Sequence, residues 1–182
     1  WSYEFLINVL KLDAKRIYVS VFAGDNDAPF DQESFEAWRK LGVPESHIFK
    51  YGKDDNWWPT GGNKPGPQGP DTEMFYDIDP KSNSKIDPSE NNQRFVEIWN
   101  DVFMEYQCDG NLYKELKQKN VDTGMGLERI LTVLQGTPSI YETDVFLPTI
   151  KKVEELSNEF TSSSARIIAD HIRASVLLIA DG

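Results

Sequence analysis

A chain of 182 residues with 39% hydrophobic content is long enough to bury one sizeable core and too short for three or more domains. Its formal net charge of −11 argues against a general nucleic-acid coat, because phosphate binding needs Lys and Arg and a diffuse acidic field opposes it; the main docking surface of any RNA partner is expected elsewhere. The single cysteine, Cys108, excludes an internal disulfide, no Cys/His cluster has structural-zinc spacing, and no apolar run nears the roughly 20 residues of a bilayer span, so a reducing cytosol is the expected setting.

The sequence opens on Trp1, without a basic secretory start, and is expected to be a piece of something longer. Trp1, Phe5, Leu6, Val9 and Leu10 recur at helical spacing and predict an amphipathic helix. "RIYVSVF", Arg16 to Phe22, predicts a strand from its β-branched and aromatic residues. After an acidic loop, Asp31 is a candidate cap for a helix over 32–41 that places Phe35 and Trp38 on one face. "HIFKYG" is a short strand. The adjacent Trp57 and Trp58 precede a Gly/Pro-rich loop over 59–70, then a strand over 72–78 and a polar, exposed insertion over 79–92. A long strand is predicted over 94–107, with "CDGN" as its turn. From Lys114 the sequence reads as a charged connector, a glycine-containing segment and a helix ending near Gly136. A helix over 144–160 tolerates Pro148 in its first turn. The last, serine-capped helix carries Ile168, Ile172, Val176 and Ile179 as one stripe that needs a partner surface.

The stretch richest in chemistry is "VDTGMGLERI", Val121 to Ile130. Gly124 and Gly126 have no Cβ to hold off a flat ligand. The Arg129 guanidinium can reach a phosphate or stack on a base, and the Asp122 carboxylate suits an ammonium group. A strand-to-helix turn with a surface Arg is the plain alternative for the same residues.

"VDTGMGLERI" resembles motif 3 of class II aminoacyl-tRNA synthetases in the form that alanyl-tRNA synthetases use. "FVEIWNDVFMEY" is similar to the strand preceding it, "DNWW" with "GPQGPDTEMFYD" resembles the family's Asn-aromatic-Trp and Gly-Pro-Cys-Gly-Pro block, and "ARIIADHIRASVLLIADG" resembles the helix opening its tRNA-recognition region. The resemblance implies an α+β fold with a mixed α/β order: an antiparallel active-site sheet flanked by helices, incomplete in this chain. It also implies two parts, 1–136 from the aminoacylation domain and 137–182 from the start of a helical region. It places Trp58, Asn100, Val102, Asp122 and Gly124 around alanine, and Gly126 and Arg129 beside ATP, with Asp122 and Arg129 as the catalytic pair. Trp58 forms the pocket wall, Asn100 orients the substrate, Val102 limits pocket size and Asp122 holds the ammonium. Glu97 sits where related enzymes place a carboxylate for Mg²⁺, with a solvent-facing strand glutamate as the alternative.

The implied reaction activates alanine with ATP and Mg²⁺ and transfers it to tRNA(Ala), in partnership with the part of the catalytic domain that carries motifs 1 and 2. Without those motifs the chain by itself is expected to be inactive. A non-catalytic paralogue and one subunit of a split synthetase are the rival readings. Gln68 replaces the family's cysteine and "GGNKPG" carries extra residues, both departures within the loop. His47, His171 and Arg173 are read as structural.

Overall fold

The computed structural model describes residues 1–82, 84, 86–90 and 93–182. They divide into two compact units, Trp1–Gly126 and Leu127–Gly182.

The first unit begins with a helical turn α1 (Ser2–Glu4) that continues as a π-helical segment, Phe5–Val9. The expected stripe there is only partly buried: Leu6 is enclosed, whereas Trp1 and Val9 are exposed, because the π turn shifts the angular spacing away from that of an α-helix. Strand β1 (Ile17–Phe22) is buried along its whole length. Helix α2 (Gln32–Lys40) starts where Asp31 accepts from the Ser34 N–H at 2.9 Å, and carries the chain to β2 (Ile48–Tyr51), which pairs parallel with β1. Then follow β3 (Trp57–Trp58), β4 (Gly66–Asp77), β5 (Phe95–Cys108) and β6 (Tyr113–Met125). The sheet order is β2-β1-β4-β5-β6, with β3 paired to β4, and every pairing except β1–β2 is antiparallel.

Two sequence-based boundaries are corrected here. The strand expected from Thr72 begins at Gly66, so most of the glycine- and proline-rich run is itself extended: Pro70 pairs with Trp57 and Gly69 with Trp58 on the edge that proline leaves without a donor. The charged connector after Lys114 is a 13-residue strand, β6. Its side chains are mostly exposed, so no apolar alternation betrays it, and its extended form comes from the ladder with β5.

Gly69 sits in the register irregularity between Gln68 and Asp71, where a Cβ would lie 1.8 Å from the Phe103 carbonyl oxygen. Gly69→Ala is therefore expected to lower stability by about 3 kcal/mol, as overpacking against backbone does. Chemical denaturation checks this, and an unchanged midpoint would rule out the close approach.

Residues paired across an antiparallel ladder share a face. The face bearing Thr72, Trp99 and Asp101 is covered by the helices: Trp38 Nε1 donates to Thr72 Oγ1 at 2.8 Å, Tyr3 packs edge-on to Trp38, Phe5 edge-on to Trp99, and Ser2 Oγ donates to Asp101 at 2.8 Å. The connection from β4 to β5 is tied down by Arg94, which pairs with buried Asp77 at 2.7 Å and donates to the Ser82 and Ser84 carbonyls at 3.1 Å. The expected insertion is thus anchored at its ends and its residues 83, 85, 91 and 92 lie outside the described ones.

In the second unit α3 (Leu127–Gln135) ends at Gly136, whose φ of 64° is the left-handed stop expected there. The helix predicted over 144–160 is shorter, α4 (Leu147–Leu156), with Pro148 in its first turn. Helix α5 (Ser162–Asp181) is capped by Thr161, not by a serine: the Ser164 N–H donates to Thr161 Oγ1 at 3.2 Å. Ala165 and Ala169 are buried, while Ile168, Ile172, Val176 and Ile179 are exposed. Arg173 pairs with Glu128 and lies over the buried Phe146 ring, and His171 Nδ1 is bonded to the Ile167 carbonyl, which fits structural roles for both. No helix among the described residues is long and apolar enough to cross a membrane.

Candidate active site

The sheet face opposite α2 carries a polar patch between two aromatic clusters, and β1 shows why. Its same-face residues are Tyr18, Ser20 and Phe22. Tyr18 packs with Phe75 and Phe95 and stacks on His47 at 3.9 Å; Phe22 packs with Trp57. Ser20 lies between them, and its Oγ accepts from Asn56 Nδ2 at 2.8 Å.

Across the patch the register forms two rows. Asp71 pairs with Val102, and Val102 with Asp122; one step along, Glu73 pairs with Asn100, and Asn100 with Gly124. Val102 is buried, flanked by the two aspartates, and a Cβ built on Gly124 would meet nothing within 4 Å. A short apolar floor is thus ringed by oxygen acceptors, beside a strand edge kept bare of side chain. Glu97 pairs with Phe75 in the next row. Asp122 is exposed, Asn100 half-buried.

The electrostatics follow from this crowding. Burial, with Glu97, Asp71 and Asp55 nearby, pushes the Glu73 carboxyl up to about 8. Burial also lifts Asp71, to about 6, against hydrogen bonds from Asn56 and Asn100 that favour its charged form. So concentrated a set of carboxyl groups favours a cationic ligand.

The tryptophan loop is held from beneath. Trp57 is buried and donates from Nε1 to Gln68 Oε1 at 2.9 Å, while Gln68 Nε2 donates to the Lys64 carbonyl. Gln68, the departure from the family's cysteine, is therefore a fully buried strut between the two ends of the loop. Trp58 points the other way and is 45% exposed. Sequence reasoning did not single out Asn56, Asp71 or Glu73. Asp71 and Glu73 lie two apart in a strand and so share a face, a signal hidden by starting the strand at Thr72.

The structure thus brings Glu97, Asn100, Val102, Asp122 and Gly124 to one face. Gly126 closes the first unit, and Arg129 lies in α3 of the second, exposed. The family described as "tRNA synthetases class II (A)" matches residues 1–182. The chain belongs to this family. It is 45% identical over 191 residues to the alanine–tRNA ligase of Borrelia hermsii, 45% over 192 residues to that of Treponema denticola, and 43% over 198 residues to one from Thermus thermophilus. In each comparison the whole chain is covered, and it spans 32%, 32% and 22% of those relatives. Among the described residues of this class II synthetase chain, no three His, Cys, Asp or Glu side chains form a metal cage. A Mg²⁺ carried largely by nucleotide phosphates takes one or two protein carboxylates, and Glu97 is one of the carboxylates on this face.

Proposed function

We propose that the protein containing this chain is an alanine–tRNA ligase, and that the patch around Val102 is where the amino acid sits. The observation that carries this reading is the row Asp71–Val102–Asp122 beside Asn100 and Gly124: an apolar floor among acceptors suited to an ammonium. The match to the class II family and the similarity to three alanine–tRNA ligases support it.

In this reading Asp122 holds the substrate ammonium and Asn100 orients it, while Trp58, exposed on the side of β3 opposite Trp57, is the pocket wall that the family resemblance implies. Fixed in this way, the alanine carboxylate attacks the ATP α-phosphate and pyrophosphate leaves; a hydroxyl of the 3′-terminal ribose of tRNA(Ala) then attacks the adenylate carbonyl, taking the alanyl group and releasing AMP. For ATP, Gly126 has no Cβ to hold a nucleotide off its backbone, and the Arg129 guanidinium suits a base or a phosphate. Glu97 is the residue that would hold Mg²⁺, which would supply neutralisation of phosphate charge. Catalysis then consists of positioning and charge stabilisation, with no covalent protein intermediate. The residues from 137 to 182 open the region that recognises the tRNA.

The test is alanine-dependent ATP–pyrophosphate exchange by the full-length protein that carries this segment. Asp122→Asn is expected to reduce kcat/KM for alanine by at least about tenfold, since the charge-assisted hydrogen bond to the ammonium is lost. An unchanged value removes Asp122 from the site. Trp58→Ala should weaken alanine activation and admit larger amino acids while the melting temperature stays near wild type; normal alanine kinetics would move the pocket wall elsewhere.

A further inference from the structure

The carboxylate of Asp71 joins the tryptophan loop to the centre of the polar face. One oxygen, Oδ1, accepts from Asn56 Nδ2 at 3.1 Å; the other, Oδ2, accepts from Asn100 Nδ2 at 3.4 Å. Asn56 is fully buried and itself fixed: its Nδ2 also donates to Ser20 Oγ and to the Asp71 carbonyl, and the Asp71 N–H donates back to the Asn56 carbonyl at 3.3 Å. Asp71, only 4% exposed, therefore has little freedom to turn.

A carboxamide has one donor end and one acceptor end, and holding either decides what the other presents. With its nitrogen on Asp71, Asn100 has its carbonyl oxygen left for a ligand. Asn100 pairs with Gly124, so its diagonal neighbour on β6 is Asp122, and no Gly124 side chain intrudes. Diagonal strand neighbours stand about 7–8 Å apart, a gap that one ammonium fills with a hydrogen bond to each side. An ammonium has three donors and no acceptor, so an Asn100 turned the other way would set N–H against N–H.

We propose that Asp71 is a positioning residue for amino-acid recognition: it fixes the Asn100 carboxamide so that its oxygen, together with the Asp122 carboxylate, receives the substrate ammonium group. This inference rests on the reading of the face as the alanine site. It goes beyond that reading by assigning a role to a residue two positions after the loop glycine and on a different strand from either ligand-binding group. Asp71 itself touches Asn56 and Asn100 and acts on the ligand through Asn100.

The experiment is steady-state exchange by the full-length protein with Asp71→Asn, with Asp71→Ser as a smaller second variant, and with Asn100→Ala and Asp122→Asn as site references. Alaninol, which keeps the ammonium and lacks the carboxylate, is the competitive probe. Either Asp71 variant is expected to raise the KM for alanine and the Ki for alaninol together, by about tenfold, with the KM for ATP and kcat within about twofold of wild type. If alanine KM is unchanged, or alanine and ATP KM rise together with a fall in melting temperature, Asp71 is a structural residue and the proposal is wrong. The two levels separate cleanly: loss of alanine affinity in Asn100→Ala and Asp122→Asn without loss in the Asp71 variants overturns this inference alone. Unchanged affinity in the two reference variants overturns the assignment of the site itself.

Discussion

Trp57→Ala is expected to destabilise the fold by about 3–5 kcal/mol, the range for removing a large buried aromatic. Trp57 is 1% exposed, and its ring lies 5.0 Å from Phe22, 5.5 Å from Tyr113 and 5.7 Å from Tyr106. Lys53 Nζ sits 4.9 Å from its ring centroid, itself paired with Asp25 and Asp27. Truncation leaves a cavity at the join of β1, β3 and β5, and it strips the donor from the buried Gln68 Oε1. The neighbouring Trp58→Ala, on the exposed side of the same short strand, should cost less than about 1 kcal/mol. Urea denaturation of both variants makes the comparison. Equal losses would mean that the two side chains share an environment, contrary to the alternation on β3.

The second large effect is a dependence of stability on pH that runs opposite to the usual carboxylate case. Glu73 titrates at about 8 in the folded protein, against 4.5 for an unperturbed glutamate. Between those values the folded state holds a proton that the unfolded state has released, so stability falls as pH rises. The contribution is fully present below pH 4.5 and is lost as pH passes through about 8. Asp71, lifted to about 6, adds a smaller loss of the same sign at lower pH. Glu73→Gln keeps the shape and removes the titration. The difference in unfolding free energy between variant and wild type should therefore grow in favour of the variant from pH 5 to pH 9, by on the order of 4 kcal/mol. Parallel stability curves would show that Glu73 is ionised throughout. Because Glu97, Asp71 and Asp55 are the charges that raise it, a cation bound among them should lower this titration and flatten the curve.

Much of the fold can be read locally. The Asp31 cap, the Phe35/Trp38 face of α2, the strand character of β1 and β5, the stop at Gly136 and the opposite orientations of Trp57 and Trp58 all depend on a residue and its near neighbours. The motif-like blocks likewise point to the synthetase family by residue type and order alone. What local reading missed depends on partners distant in sequence. Strand β6 is extended because β5 supplies its ladder, and its own charged residues carry no period-2 apolar signal. The early start of β4 has the same origin, since Trp57 and Trp58 give Pro70 and Gly69 their partners.

The candidate site divides along the same line. Its residue types, an Asp before two glycines and an Asn and a Val two apart on a strand, are written in the sequence. That Val102 lies between Asp71 and Asp122, that Asn100 is held by a carboxylate 29 residues away, and that Glu73 keeps its proton near neutral pH are properties of register and burial. A side chain's identity sets what it can donate, accept or titrate; which of these it does is set by the groups that folding packs around it and by the water that packing removes.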